Sequence, residues 1–234
     1  PPDPDSRTIA YDGLGACVSF SYAERNQSIP SRLDGKLTLT SLQAIYLGTT
    51  ESWRELRGPR LPIARYRSNS PEITAIFEQQ VLAPATFDNP PLSDIPPLPT
   101  LDMLRTIIQD FESQTVGSVG FAPLSQVLGQ CSVYPLALQT DSQPAVQPWI
   151  LTSGEPIQPT TDLCDRKGLY HPDTDAFQTG DYPLTYQISV VYPKDNRRVS
   201  IGQKFAELMQ TDEGQYLLAD AGLVPLRNLW IQAP

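Results

Sequence analysis

Among its 234 residues this chain holds one histidine, His171, and three cysteines, Cys17, Cys131 and Cys164. A Ser-His-Asp or Cys-His device would have to use His171, and no Gly-x-Ser-x-Gly elbow marks a nucleophile, so the pattern argues against an enzyme. The cysteines fit no metal-finger spacing. Cys164, Asp165, His171, Asp173 and Asp175 do gather donors in one stretch. Their spacing matches no EF-hand loop or paired-ligand motif, and Pro172 stiffens the turn, so they read as a polar loop; neither a metal nor a cofactor is expected. No apolar run has membrane length, although 40% of the residues are apolar, which reads as a soluble globular chain. No cationic, apolar leader opens the sequence, and the expectation is that any secretion signal was removed or never included. Basic residues are short: 17 against 26 acidic ones, a net charge of −9 that excludes nucleic acid and anionic membranes as natural partners. A local site can still bind an anion, because the global field is screened beyond a Debye length of about 8–10 Å.

Proline is abundant instead, at 24 residues. Residues 1–7 read as a lead-in without structure, and the proline-rich stretch 84–99 reads as a loop. Cys17 lies in the apolar run Ala16 to Phe20 and is expected to be buried. Cys131 and Cys164 are either bridged or isolated thiols; the spacing leaves both open.

Apolar periodicity and caps organise the rest. Residues 9–20 suit a buried strand. Thr38 or Thr40 caps a helix through Leu47, stopped by Gly48. Ile63 to Tyr66 is a strand. Ser70 caps a helix that starts at Pro71 and carries Ile73, Ile76, Phe77 and Val81 at helical spacing. Thr100 is expected to cap a helix with Leu101, Leu104, Ile107, Ile108 and Phe111 on one face, ended by Gly117. Strands at 118–122 and 133–138 flank a short helix. Residues 139–182 are polar, turn-rich and unassigned. A strand at 184–192 is followed by helices near 200–210 and 212–221, capped by Ser200 and Asp212 and stopped by Gly222. Trp53, Trp149 and Trp230 are scattered and read as packing residues. No internal repeat is visible.

The segment Arg67-Ser68-Asn69-Ser70-Pro71-Glu72 carries the functional signal. A cation before a capped helix start is a common anion site, since free N–H groups and the helix dipole favour negative charge. Glu72, however, brings its own carboxylate to that first turn. Ser68, Asn69 and Ser70 can donate to an anion, or serve as turn and cap residues, with capping the natural role of Ser70. Arg67 is a ligand contact, a solvated strand-end residue or a partner of Glu72. Asp12 accepts from a protonated ligand or forms a turn before Gly13.

Tyr11-Asp12-Gly13-Leu14, Leu37 to Gly48, Trp53 to Leu56, Leu61-Pro62-Ile63, Val119-Gly120-Phe121, Tyr182-Pro183-Leu184 and the run Phe205 to Pro225 occur in an order that resembles the phosphate-binding proteins of bacterial ABC transporters. The resemblance covers roughly residues 8 to 226, with 83–99 and 139–180 matching poorly. It implies an α/β fold of the two-lobed periplasmic-binding-protein type (type II), with mixed sheets flanked by helices and an incomplete first lobe. Residues 1–20 and 181–234 would form that partial lobe and 21–180 the second. It further implies a periplasmic or otherwise extracytoplasmic protein that closes over phosphate or a related oxyanion and delivers it to an ABC permease, with Arg67, Ser68, Asn69, Ser70 and Asp12 as ligand-binding residues. The family's Ser-Gly-Thr triplet falls on Pro71-Glu72-Ile73, which removes two hydroxyls and an N–H, so phosphate binding is expected to be weak. The rival expectation is a ligand-blind fold serving as a sensory or protein-interaction domain. Either way, an incomplete first lobe exposes apolar surface through which the chain would pair with another copy, a separate chain or an absent segment.

Overall fold

The computed structural model describes residues 4–21, 23–24, 26, 28–82, 92–194 and 200–229. Its longest element is β1 (Pro4–Ser19), a strand of 16 residues. Along residues 4–13 it pairs antiparallel with β9 (Thr185–Pro193); along 14–19 it pairs antiparallel with both β5 (Gly117–Pro123) and β6 (Val133–Gln139). The register with β9 shifts between Thr8 and Ala10, an irregularity of the kind that bends a strand. Parallel pairings extend the sheet outward: β2 (Lys36–Thr38) on β6, and β3 (Ile63–Ser68) on β5, followed by β4 (Pro97–Leu98) on β3. The result is one mixed seven-stranded sheet in the order β2-β6-β1-β5-β3-β4, with β9 attached to β1. A separate two-stranded sheet joins β7 (Trp149–Leu151) and β8 (Tyr170–Pro172).

The helices start where cap chemistry directs them. The Thr38 hydroxyl accepts the Ser41 N–H at the head of α2 (Leu39–Tyr46), which stops at Gly48 with φ +74°. The Ser70 hydroxyl accepts the Ile73 N–H at the head of α3 (Pro71–Phe77), and the helix runs on through a π-helical turn, Glu78–Leu82. α4 (Thr100–Ser113) buries Met103, Leu104 and Ile107 against β5. Gly120 makes that approach close: a Cβ there would meet the Met103 sulfur at 2.8 Å. The short α5 (Leu124–Val127) follows β5 directly, and α6 (Thr174–Thr179) is capped by Asp173. α7 (Ile201–Met209) and α8 (Asp212–Asp220) pack on the β1–β9 ribbon.

Two cores result. The larger is centred on Tyr46, Phe77 and Phe121; the two phenyl rings stack at 3.9 Å and Tyr46 meets both edge-on. Trp53 and Trp149 are fully buried in it, as packing residues; Trp230 lies outside the described residues. Beside the ribbon, among the described residues, Ile9, Tyr192 and Ala206 form a second buried cluster. Buried Gln215 locks the helices to the ribbon. Its Nε2 donates to the carbonyls of Ile9 and Met209, and its Oε1 accepts the Leu226 N–H.

Several expectations change. Pro4 to Arg7 form the start of β1, because pairing with β9 supplies partners that local composition does not reveal. Pro99, not Thr100, is the N-cap of α4, and no side-chain bond caps it. The helix ends at Ser113 with Gln114 in the left-handed region (φ +55°). Gly117 instead opens β5, where a Cβ would meet the Trp53 indole at 2.5 Å. Thr211 caps α8 in place of Asp212. Most of the proline-rich loop, residues 83–91, lies outside the described residues. Cys131 and Cys164 are bridged across a separation of 33 residues, which contributes about 3–4 kcal/mol by loop-closure entropy. Cys17 is free and buried.

The Gln215→Met variant leaves two carbonyls and one N–H without partners and should cost about 2–5 kcal/mol. Urea unfolding followed by circular dichroism measures it; a loss within experimental error would remove Gln215 as the lock.

Candidate functional site

The carboxyl ends of β3 and β5 open onto a cavity of about 900 Å³, closed on its far side by β1 and β9. Open α/β sheets place ligands at such strand ends. Ser68, Asn69, Ser70 and Glu72 line one wall, Pro99 to Asp102 and Arg105 a second, and Asp12, Ser125, Tyr186, Gln187 and Ser189 the floor and far wall. Four of the five residues expected from sequence are thus brought together: Asp12, Ser68, Asn69 and Ser70. Arg67 is not among the lining residues. Side chains alternate along a strand, so with Ser68 at the cavity Arg67 takes the opposite face, where its Nε donates to the Ile95 carbonyl at 2.6 Å.

The cation that does line the cavity is Arg105, on α4. It is paired with Asp102 at 3.1 Å, and both side chains are largely exposed, so the pair is screened by water and weak. The lining residues hold three carboxylates, Asp12, Glu72 and Asp102, against one guanidinium. The cavity is therefore electrostatically unfavourable to a dianion.

The donors at the start of α3 are already engaged. The Ser70 hydroxyl accepts the Ile73 N–H at 3.3 Å and donates to Glu72 Oε2 at 2.8 Å, while Ser68 Oγ accepts the Ser70 N–H at 3.1 Å. The Glu72 backbone N–H and the Ser70 hydroxyl together hold the exposed Glu72 carboxyl below its ordinary pKa. An internal carboxylate thus takes the hydrogen bonds that an external anion would need.

Asp12 is not a turn residue. It sits within β1, 3% exposed, and each of its bonds has a nameable origin. Oδ1 accepts the N–H groups of Gly13 (2.7 Å) and Ser125 (3.2 Å); Oδ2 accepts the hydroxyls of Ser125 (2.6 Å) and Tyr186 (3.1 Å). Burial raises its pKa above the ordinary 3.8, and the hydrogen bonds, led by the Ser125 hydroxyl, oppose that rise. The carboxyl ties α5 to β9 across β1.

Sequence reasoning missed Arg105, Ser125, Tyr186, Gln187 and Ser189. For β9 a signal existed: Gln187 and Ser189 alternate with Ile188 and Val190, which marks one polar strand face. Ser125 and Arg105 carried none. In the stretch 164–175, the Cys164 sulfur is committed to its disulfide, Asp173 caps α6, and the Asp175 carboxylate accepts from Asn228. Among the described residues no group of three His, Cys, Asp or Glu side chains is placed to hold a metal.

No family model matches this chain, and no curated protein does. Solved structures do. A protein from Clostridium perfringens assigned as a phosphate ABC transporter substrate-binding protein, solved with bound phosphate, is similar at 18% identity and a TM-score of 0.61; the match covers 96% of this chain and 72% of that one. An ABC-type phosphate transport receptor from Vibrio cholerae is similar at 18% identity and a TM-score of 0.58, covering 94% and 72%. PstS from Borrelia burgdorferi is similar at 14% identity and a TM-score of 0.56, covering 96% and 73%. The chain has the α/β fold of the two-lobed periplasmic binding proteins, the fold expected from its sequence. No helix among the described residues is long and apolar enough to cross a membrane.

Asp12 gives a test by pH. Its native pKa lies above the unfolded value, so the stability it contributes is full below about pH 4 and is lost as pH rises through the native value. Asp12→Asn keeps acceptors for the two N–H groups and donors for the two hydroxyls, but does not titrate. The melting temperature of the parent minus that of the variant should fall as pH rises from about 4. A difference that climbs with pH would show that the ionised carboxylate is the favoured native form.

Proposed function

We propose that this chain is an extracytoplasmic solute-binding protein of the phosphate-transporter type whose cleft no longer takes phosphate dianion tightly. Residues 1–20 and 181–234 form a partial first lobe and 21–180 the second, and the protein works by closing the lobes over a polar solute and presenting it to a membrane permease. The engagement of Ser70 and the α3 start by Glu72 carries this reading. A phosphate would have to displace that carboxylate from the Ser70 hydroxyl and the first-turn N–H it already holds. With three carboxylates lining the cleft, an uncharged or cationic polar solute suits it better than an anion. Ser68 and Asn69 are its proposed contacts, joined by Gln187 and Ser189 from the far wall, while Ser70 and Asp12 line the cleft with their hydrogen bonds made inside the chain. Arg67 supports the Ile95 segment beside the cleft. No chemistry and no cofactor is assigned to the site.

A second reading, a fold without a ligand that serves sensing or protein interaction, is favoured by the exposed apolar side chains of α7 and α8. Self-association through the partial lobe belongs to it.

Isothermal titration calorimetry should show no phosphate isotherm at micromolar protein; a clear micromolar affinity would overturn the first reading. The triple variant Pro71→Ser, Glu72→Gly, Ile73→Thr restores donors and removes the internal carboxylate. Phosphate or sulfate should then raise its melting temperature where the parent is unmoved. A folded triple variant that gives no shift would show that this corner is not a usable anion site.

A further inference from the structure

A second cavity, of about 470 Å³, opens at the amino ends of β3 and β5, the end of the sheet remote from the cleft. Three connections meet there: the stretch after β1, the segment between the helical turn Trp53–Leu56 and β3, and the turn between α4 and β5. The first of them leads into α1 (Ile29–Arg32), anchored by Ile29 in the larger core. The volume falls within the about 300–1,000 Å³ of sites that take small molecules.

Backbone bonds build its walls. The Trp53 N–H donates to the Leu61 carbonyl, the Leu61 N–H to the Pro59 carbonyl and the Gly117 N–H to the Pro62 carbonyl. Gly58 lets the chain pass close to the Trp53 carbonyl, which a Cβ there would meet at 2.9 Å. The segment carrying Arg60 is therefore fixed before a ligand arrives, which lowers the ordering cost of binding.

The charge balance reverses that of the cleft. Arg32 and Arg60 stand exposed at the rim with Glu24, two guanidiniums against one carboxylate. Neither guanidinium makes a hydrogen bond or ion pair with the described residues. Residues 54–67 hold five of the chain's 17 basic residues, Arg60 among them, and one of its 26 acidic ones, Glu55. The local field is thus positive on a chain whose net charge is −9. Below the rim Ser19 is 2% exposed, and its hydroxyl also bonds to none of the described residues. Buried hydroxyls ordinarily have a partner, so this one calls for a partner inside the cavity. Leu61, Phe111 and Val116 supply an apolar lining.

We propose that this cavity binds an amphipathic organic monocarboxylate, with Arg32, Arg60 and the Ser19 hydroxyl as donors to its carboxylate and an apolar or aromatic body on Phe111 and Leu61. Guanidinium forks suit a carboxylate in geometry and in charge. The surplus of one positive charge matches a single carboxylate, and the apolar lining gives affinity that an inorganic anion cannot use. No residue lining this cavity lines the cleft, so the site is independent of what the cleft takes.

Phenylacetate is the probe, titrated into isotope-labelled protein and followed by two-dimensional NMR. Saturable shifts should appear at Ser19, Arg60, Gln114 and Gly117 by low millimolar phenylacetate, while acetate and the neutral phenylacetamide leave these residues unsaturated. Arg32→Gln and Arg60→Gln, at exposed positions, should each raise the dissociation constant at least about fivefold with the parent's circular dichroism retained. Absence of saturable shifts at these residues overturns the proposal, as does binding indifferent to both arginine variants. Acetate or inorganic phosphate that binds as tightly as phenylacetate would show an unselective basic patch and overturn it too. Hexaglutamate that saturates these residues where phenylacetate does not would make the face a surface for acidic polypeptide, which also overturns it.

Discussion

The register of β1 is the constraint on which the rest depends. A single strand pairs with β9 along its first ten residues and with β5 and β6 along its last six, so one uninterrupted run of backbone belongs to both units of the fold. A slip of one residue would turn every β1 side chain to the opposite face and lose both cores together. Asp12 sits just before the exchange of partners. Its carboxyl collects Ser125 from the element after β5 and Tyr186 from β9, so the place where the strand changes partners is also cross-braced by hydrogen bonds. Gln215 braces the ribbon from its other side by accepting and donating to backbone that β9 does not reach.

The same economy explains the cleft. Polar groups that face a cavity must bond to something, whether ligand, water or each other. Here Ser68, Ser70 and the first turn of α3 bond among themselves and to Glu72. Arg67 is turned to the Ile95 carbonyl, away from the cleft, and Arg105 stands beside Asp102, whose carboxylate offsets its charge at the cleft wall. The fold is that of proteins described as phosphate-binding, yet the chemistry of this corner resembles a site that already contains its anion. Fold and ligand are separable properties, and the ligand follows from the residues lining the site.

Where structure is set by neighbouring residues, the sequence sufficed. Thr38, Ser70 and Ser200 cap helices because their hydroxyls reach an N–H three residues on, a purely local geometry. Pro71 and Gly48 act through their own backbone preferences, and the strand at Val119 to Phe121 is a short apolar run. Where structure is set at a distance, it did not suffice. The partners of Asp12 stand 113 and 174 residues away, and no local pattern shows them. The end of α4 departs from the local pattern because Gln114 adopts a left-handed conformation usually left to glycine, while Gly117 is a glycine for the sake of the Trp53 indole. Thr211 and Asp212 are both able to cap, and only tertiary packing chooses between them. Alternation along β3 was legible, but not which of Arg67 and Ser68 would meet the cleft.

The central claim is that Glu72 serves as the built-in anion of this cleft. A crystal structure of the protein grown in saturating phosphate tests it most directly. The account predicts a Glu72 carboxylate still accepting the Ser70 hydroxyl, with no phosphate at the start of α3. Phosphate bound to Ser68, Asn69 and Ser70, with Glu72 swung out to solvent, would contradict it.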